Sequence, residues 1–396
     1  MKEINIIGIG MSKKTLTQEA LKLIEEADIL IGAKRLVDEF SYLNKDSYNA
    51  YLSNDVLAIV NETDAKNIAI LMSGDVGFYS GAEKLVDTLI DYNPNLIAGI
   101  SSVSYFFSKC KLPWKDANLI SCHGVDTNIV SSVRRNRYTF ALTGNNIPEL
   151  ADKLVDYGFG DLNVWIGENL GSEDELIQCS KINELNNDEY SSLTVLIIEN
   201  PDYDSRIRCG IPDDEFIRGK VPMTKSEVRA VSISKLSLKP NEIAYDIGCG
   251  TGSVTIEMAL SLYDGKVYAF DKNEDAIELL DKNCKKFHID NVEGICGLAP
   301  ECLKDIPSPD VAFIGGSSGN MDEIVSYLYG INPKMRFVIT AVTLENAMAG
   351  LDALKNVGIN GDIVQVAVSK GKAIADLHML IAQNPIFIIS GSGLDE

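Results

Sequence analysis

Gly248, Gly250 and Gly252 fall at alternate positions in the stretch Glu242 to Glu257, EIAYDIGCGTGSVTIE, directly after an apolar run and directly before a helical one. Glycines so placed let the chain turn sharply and let its backbone approach a ligand, both of which a Cβ would obstruct. A dinucleotide fingerprint reads G-x-G-x-x-G. Here the loop reads G-x-G-x-G and carries Asp246 two residues before its first glycine, which favours S-adenosylmethionine (SAM). About 20 residues further on, the run KVYAFD ends in Asp271, where a carboxylate at the open end of a parallel sheet accepts both ribose hydroxyls. Asp246 is expected to orient the loop or the SAM ammonium.

Methyl transfer from SAM is an in-line displacement at a carbon already activated by the sulfonium. The protein must align donor and acceptor and keep water out; it needs no nucleophile. The sequence has no Ser-His-Asp arrangement to explain, and no catalytic side chain is assigned. Among the histidines, His288 ends a charged helix, His378 begins a closing strand and His123 lies in a turn.

The elements that must position these residues alternate between strand and helix. NIIGIG at 5–10 is a buried-type strand ending in glycines, followed by a helix from Thr17 with Ala20, Leu21, Leu23, Ile24 and Ala27 on one face. The arrangement repeats at strand 68–72 with the loop Ser73 to Gly77, and at LIAGISSVSYFF with Ser101 and Ser102 at the turn. The first hundred residues are therefore expected to form a mainly parallel α/β sheet. From Leu112 the strands become more β-branched and the helices fewer, which predicts a second lobe with a mixed sheet. The polar stretch PDYDSRIRCGIPDDEF at 201–216, broken by two prolines, is read as the boundary between domains 1–203 and 204–396. Beyond it a doubly wound sheet is expected, ending in two closing strands, GDIVQVAV and HMLIAQNPIFIIS.

The 396 residues suffice for two or three cores, and 45% hydrophobic with 23% charged residues suits a soluble globular protein. No apolar run approaches the ~20 residues that cross a bilayer, and MKEINIIGIG enters a strand at once, so no membrane span is expected and the chain is placed in the cytoplasm. Its eight cysteines form no C-x-x-C pair and stand beside only three histidines, which argues against a metal site and against a disulfide framework. A net charge of −21 repels nucleic acid and anionic membranes.

GIPDDEF, PMTKSEVRA, DIGCGTGSVTIEMA, GLAPE and FIGGSSG, in that order, resemble the C-terminal half of the precorrin-6Y methyltransferases of the corrin pathway. NIIGIG, LMSGDVGFY, GISSVSYFF, SCHG, LTG and ENLG resemble tetrapyrrole methylases, above all the carbon-5 methylase of that pathway. The resemblance implies a two-lobed tetrapyrrole methylase fold followed by a Rossmann-like class I SAM methyltransferase domain, with one SAM in each. It implies methylation at carbons 5 and 15 with decarboxylation of the carbon-12 acetate of the tetrapyrrole. In the C-terminal half it places Gly248, Gly250, Gly252 and Asp271 on SAM, with Gly297, Ala299 and Pro300 near the adenine. In the front half it places Gly8, Gly10, Gly74, Asp75, Val76, Ser101, Ser102, Thr143 and Gly144 around a second SAM. Met11, Val76, Val125 and Ser318 depart from the family pattern, and Val125 stands where an arginine is frequent.

The implied substrate is a polycarboxylate. Arg134, with Arg135 and Arg137, and Lys225 and Arg229, with Lys220, are its expected cationic partners, since arginine pairs carboxylates bidentately and lysine supplies a point charge. Gly315, Gly316 and Ser317 are expected to admit a ring edge. A homo-oligomer, dimer or tetramer, is also expected. The alternatives are a nucleic-acid methyltransferase, against which the acidic charge and the partial match Asn384-Pro385-Ile386-Phe387 count, and a SAM-binding regulator without turnover.

Overall fold

The computed structural model describes residues 2–122, 128–144, 146–187, 189–374 and 376–394. Two compact units are present, one holding Met1–Thr127, Asn136–Asp152 and Gly160–Asp202, the other Asn128–Arg135, Lys153–Phe159 and Tyr203–Glu396. Among the described residues no helix is long and apolar enough to cross a membrane.

In the first unit, β1 (Glu3–Gly8), β2 (Ile29–Gly32), β3 (Asp46–Asn49), β4 (Asn67–Met72) and β5 (Asn95–Ile97) form a parallel sheet in the order β3-β2-β4-β1-β5. Its central strands are near-continuous apolar runs because both faces are covered. Successive side chains point to opposite faces, so Ile4, Ile6, Ile68 and Ile70 enter one core with Val56 and Val60 of helix Ser53–Glu62. Ile7, Leu30, Ala69 and Leu71 enter another, with Ala20 and Ile24 of helix Gln18–Glu26.

A second sheet has the order β6-β7-β10-β8-β9, with β6 (Asn118–Ser121), β7 (Tyr138–Leu142), β8 (Asn163–Glu168), β9 (Leu176–Lys181) and β10 (Thr194–Glu199). Only β6 and β7 run parallel, so the expected mixed sheet is found. Phe106 and Phe107 of helix Ser102–Cys110 pack on Phe140 and Ile197. Sequence reading did not anticipate β9, whose run LIQCSK lies at the sheet edge with most side chains exposed and so lacks a strong apolar alternation.

The second unit has β11 (Ile243–Ile247), β12 (Lys266–Asp271), β13 (Val292–Cys296), β14 (Val311–Ile314), β15 (Arg336–Ala341), β16 (Asp362–Val366), β17 (Ser369–Ile374), β18 (Leu377–Ala382) and β19 (Ile386–Ser392). Seven of them form a sheet in the order β13-β12-β11-β14-β15-β19-β16, parallel except for β19. The two closing strands of the sequence reading become four. Pro385, which has no N–H to give to a ladder, separates β18 from β19, and β17 pairs with β18 as a hairpin outside the sheet.

Candidate active site

Strand order reverses between β11 and β14, and ligands of open α/β sheets bind in the crevice beyond the carboxyl ends at such a point. A cavity of about 310 Å³ lies there. Gly248, Gly250, Asp271, Gly297, Ala299, Gly315, Gly316 and Ser317 all line it, although the chain separates them by up to 69 positions, from 248 to 317.

The geometry explains the glycines. Gly248 has φ +78°, and a Cβ on it would stand 2.8 Å from the Gly316 nitrogen, so the loops after β11 and β14 meet only because that carbon is missing. Gly250 has φ +54°, and its Cβ would meet the Pro222 carbonyl oxygen at 2.6 Å. Asp271 braces the loop: its carboxylate accepts the Gly250 N–H and the Asn273 N–H, each at 3.0 Å. A carboxylate has about four acceptor positions, so two bonds leave capacity for a pair of hydroxyls. Cavity, glycine loop and acidic strand end together fit SAM.

A strap of residues 210–225 covers this loop, and its fastening is buried. Arg229 is fully buried; its Nε donates to Glu257 Oε1 at 2.6 Å, and its other nitrogens donate to Asp213, to the Thr224 carbonyl at 2.5 Å and to the Ile211 carbonyl. Glu257 in turn accepts the N–H groups of Gly210 and Ile211 at 2.9 and 2.8 Å. The Pro222 carbonyl accepts from the Thr251 N–H at 3.3 Å, and Val221, Pro222 and Thr224 complete one wall of the cavity.

Other expected residues shape the cavity without lining it. Asp246 is wholly buried and its Oδ2 accepts the Thr255 hydroxyl at 2.5 Å, while Oδ1 has no partner; burial pushes its carboxyl up to about 7 against the opposing Thr255 bond. Of its two expected roles this placement suits orientation of the loop. Gly252 is the N-cap of helix Ser253–Ser261, and Pro300 is the N-cap of the short turn Glu301–Leu303.

In the first unit a cavity of about 510 Å³ is lined by Gly74, Asp75 and Ser102. Asp75 ties two turns together, its carboxylate accepting Gly77 N–H at 2.8 Å and Gly99 N–H at 3.0 Å. Gly8, Gly10, Val76, Ser101, Thr143 and Gly144 lie outside the lining. Gly10 exchanges backbone bonds of 3.1 and 2.9 Å with Gly74, Ser101 caps helix Ser102–Cys110, and the Thr143 hydroxyl donates to the Thr194 carbonyl. These bonds hold the lining loops in place.

Two cationic expectations are corrected. Arg229 has no free donor facing solvent, and its role is to fasten the strap. Arg134 is buried beside the Asp204 carbonyl, with its pKa drawn down to about 10 by burial, and lines neither cavity. Arg137 pairs with Glu199 and Arg135 stacks on Tyr263, 3.8 Å from the ring centroid. His123 lies outside the described residues. His288 Nδ1 is 2.5 Å from the Tyr157 carbonyl and its ring packs on Phe159, a structural role. The described residues hold no cluster of His, Cys, Asp and Glu suited to a metal.

Sequence reasoning missed Pro222, Thr224 and Lys272 as lining residues; Lys272 Nζ donates to Ser318 Oγ at 3.0 Å, joining the loops after β12 and β14. It also missed Arg35, Tyr79 and Asn169 in the first unit, although LMSGDVGFY and ENLG contain the last two.

Residues 215–391 match the family model of the precorrin methyltransferase domain, and residues 3–186 that of the tetrapyrrole (corrin/porphyrin) methylases. The chain is 42% identical over 185 residues to a probable cobalt-precorrin-6B C(15)-methyltransferase (decarboxylating) of Sulfurisphaera tokodaii, covering 46% of this chain and 96% of the relative. It is 36% identical over 183 residues to one of the same description from Methanothermobacter thermautotrophicus, covering 45% and 94%. The crystal structure of a precorrin-6Y C5,15-methyltransferase from Geobacter metallireducens aligns with 46% of this chain and 97% of its own at 36% identity, with a TM-score of 0.45.

Proposed function

The chain belongs to the precorrin methyltransferases, and on that premise we propose that it is a SAM-dependent, decarboxylating C-methyltransferase of corrin-ring biosynthesis. Its C-terminal unit methylates carbon 15 of a precorrin-6-type tetrapyrrole and removes the carboxyl of the carbon-12 acetate. The front unit methylates carbon 5. What carries this reading is the meeting of Gly248, Gly250, Asp271, Gly297, Ala299 and Gly315 at one cavity on the strand-order reversal.

When bound, SAM supplies a sulfonium-activated methyl group. Asp271, held by Gly250 and Asn273, accepts the ribose hydroxyls, and the backbone of Gly248 to Gly250 carries the methionine end. Gly297, Leu298 and Ala299 flank the base. The strap screens the donor from water on one side and the Lys272–Ser318 bond joins the loops beside it, which matters because alignment and dryness are what this displacement needs. In the front unit the loop Gly74-Asp75, with Ser102 and Asn169, holds a second SAM, giving one per domain. The acceptor is a polycarboxylate tetrapyrrole, and the net charge of −21 weighs against nucleic acid. The enzyme is cytoplasmic and homo-oligomeric; exposed Leu377 and Leu380 on the β17–β18 hairpin favour association.

Incubation with SAM and a precorrin-6-type substrate, metal-free or cobalt-containing, tests the reading by product mass. Gain of two methyls with loss of one carbon dioxide is expected. Methyl transfer to RNA with none to the tetrapyrrole would overturn it.

A further inference from the structure

A second cavity in the C-terminal unit, about 440 Å³ in volume, shares Pro222, Thr224 and Gly315 with the donor cavity. Its apolar walls include Val228, Ala341 and Ile386; its polar ones include Lys225, Gln383 and Asn384, with the hydroxyls of Thr224 and Thr340. We propose that this space receives one carboxylate-bearing edge of the tetrapyrrole, with Lys225, Gln383 and Asn384 holding a carboxylate arm. The proposal rests on the methyltransferase reading and adds the place of the acceptor.

An in-line transfer requires that the acceptor lie beside the donor, and the residues common to both linings set the two spaces side by side. The volume suits one pyrrole ring with its arm and excludes a whole macrocycle, so a ring edge enters and the remainder stays outside. The polar groups match a carboxylate. Among the described residues the side-chain amides of Gln383 and Asn384 make no hydrogen bond within the protein, and the one acid near Lys225 is Asp213, at 3.5 Å, which leaves ammonium donors available.

The same assignment gives the extra hairpin a purpose. Its two flanks are joined by a 2.8 Å bond from Gln383 N–H to the Val368 carbonyl, and Val368, Gln383 and Asn384 all stand on the cavity wall. An insertion of β17 and β18 between β16 and β19 thus brings amides to the acceptor side of a sheet that would otherwise end in a plain antiparallel pair.

Titration of the full chain with cobyrinic acid, a stable polycarboxylate corrin, in the presence of S-adenosylhomocysteine tests this. Gln383→Leu/Asn384→Leu should weaken one class of corrin sites at least tenfold, and Val368→Trp should fill the cavity and abolish that class. Calorimetry should find S-adenosylhomocysteine affinity unchanged in both, which shows the fold intact. Corrin binding equal to the parent in both variants, or no corrin binding by the parent, overturns the proposal. Turnover separates the two claims. A chain that holds cobyrinic acid through these residues yet methylates no precorrin refutes the reaction and keeps the site; unchanged turnover in both variants refutes the site and keeps the reaction.

Discussion

Asp271 concentrates two duties on one carboxylate, bracing the Gly250 turn and receiving the N–H of Asn273, and the proposed function adds a third, the ribose hydroxyls. Asp271→Ala is therefore expected to weaken SAM binding in the C-terminal unit by about 1–3 kcal/mol, the scale of a lost charge-assisted bond. Calorimetry on the full chain should show one weakened site and one unaffected; equal loss at both would indicate unfolding. Asp246 makes the opposite kind of prediction. Its carboxyl sits at about 7 when folded because it is buried, against an ordinary value near 3.9, so the unfolded chain ionises it first as pH rises. Its contribution to stability is complete below about pH 4 and is lost as pH climbs to about 7. Asp246→Asn removes that titration, so denaturant melts of parent and variant from pH 4 to 7 should diverge in the variant's favour as pH rises. Parallel curves would refute the assignment.

The strap depends on a buried ion pair, and burial makes such a pair costly to break from one side. Glu257→Ala takes from buried Arg229 the nearer of its two acids, leaving its Nε and two backbone N–H groups without their acceptor, so it should cost the C-terminal unit about 3–5 kcal/mol in a denaturant melt. Replacing both partners, Arg229→Met with Glu257→Leu, should recover much of that loss, because no charge is then stranded. If the double variant is as unstable as the single one, the pair's electrostatics are not what fastens the strap.

For the whole molecule, two cavities of separate construction, each proposed to take SAM, predict two SAM per chain, and Asp271→Ala should reduce the tight stoichiometry from two to one. Net charge sets the encounter with substrate. A protein of −21 repels a polycarboxylate, and salt screens that repulsion over a Debye length of about 10 Å at 0.1 M. Raising ionic strength from about 0.02 to 0.2 M should therefore lower KM for the tetrapyrrole without changing kcat. A KM that rises with salt would mean that a local cationic patch steers the substrate instead.

The amino-acid sequence by itself determined the two-part α/β organisation, the mixed second lobe and the loop from Gly248 to Gly252 with Asp271 at the following strand end. Each is a local matter: an apolar run of strand length, a glycine where φ must be positive, an acid where the next strand stops. The departures arise where partners are remote in the chain. Arg229 reads as a cation free to meet a carboxylate, yet tertiary packing sets it against Glu257, 28 residues away, and removes it from solvent. Pro222 and Thr224 carry no chemical signature; they line the donor cavity only because the strap is pulled onto a glycine turn that leaves room for a carbonyl oxygen. Gln383 and Asn384 pass for strand residues until Pro385 breaks the ladder and the hairpin folds out of the sheet. Whether a polar side chain binds a ligand or holds its own fold is decided by what lies within about 3 Å of it, and that distance belongs to packing, which no spacing along the chain encodes.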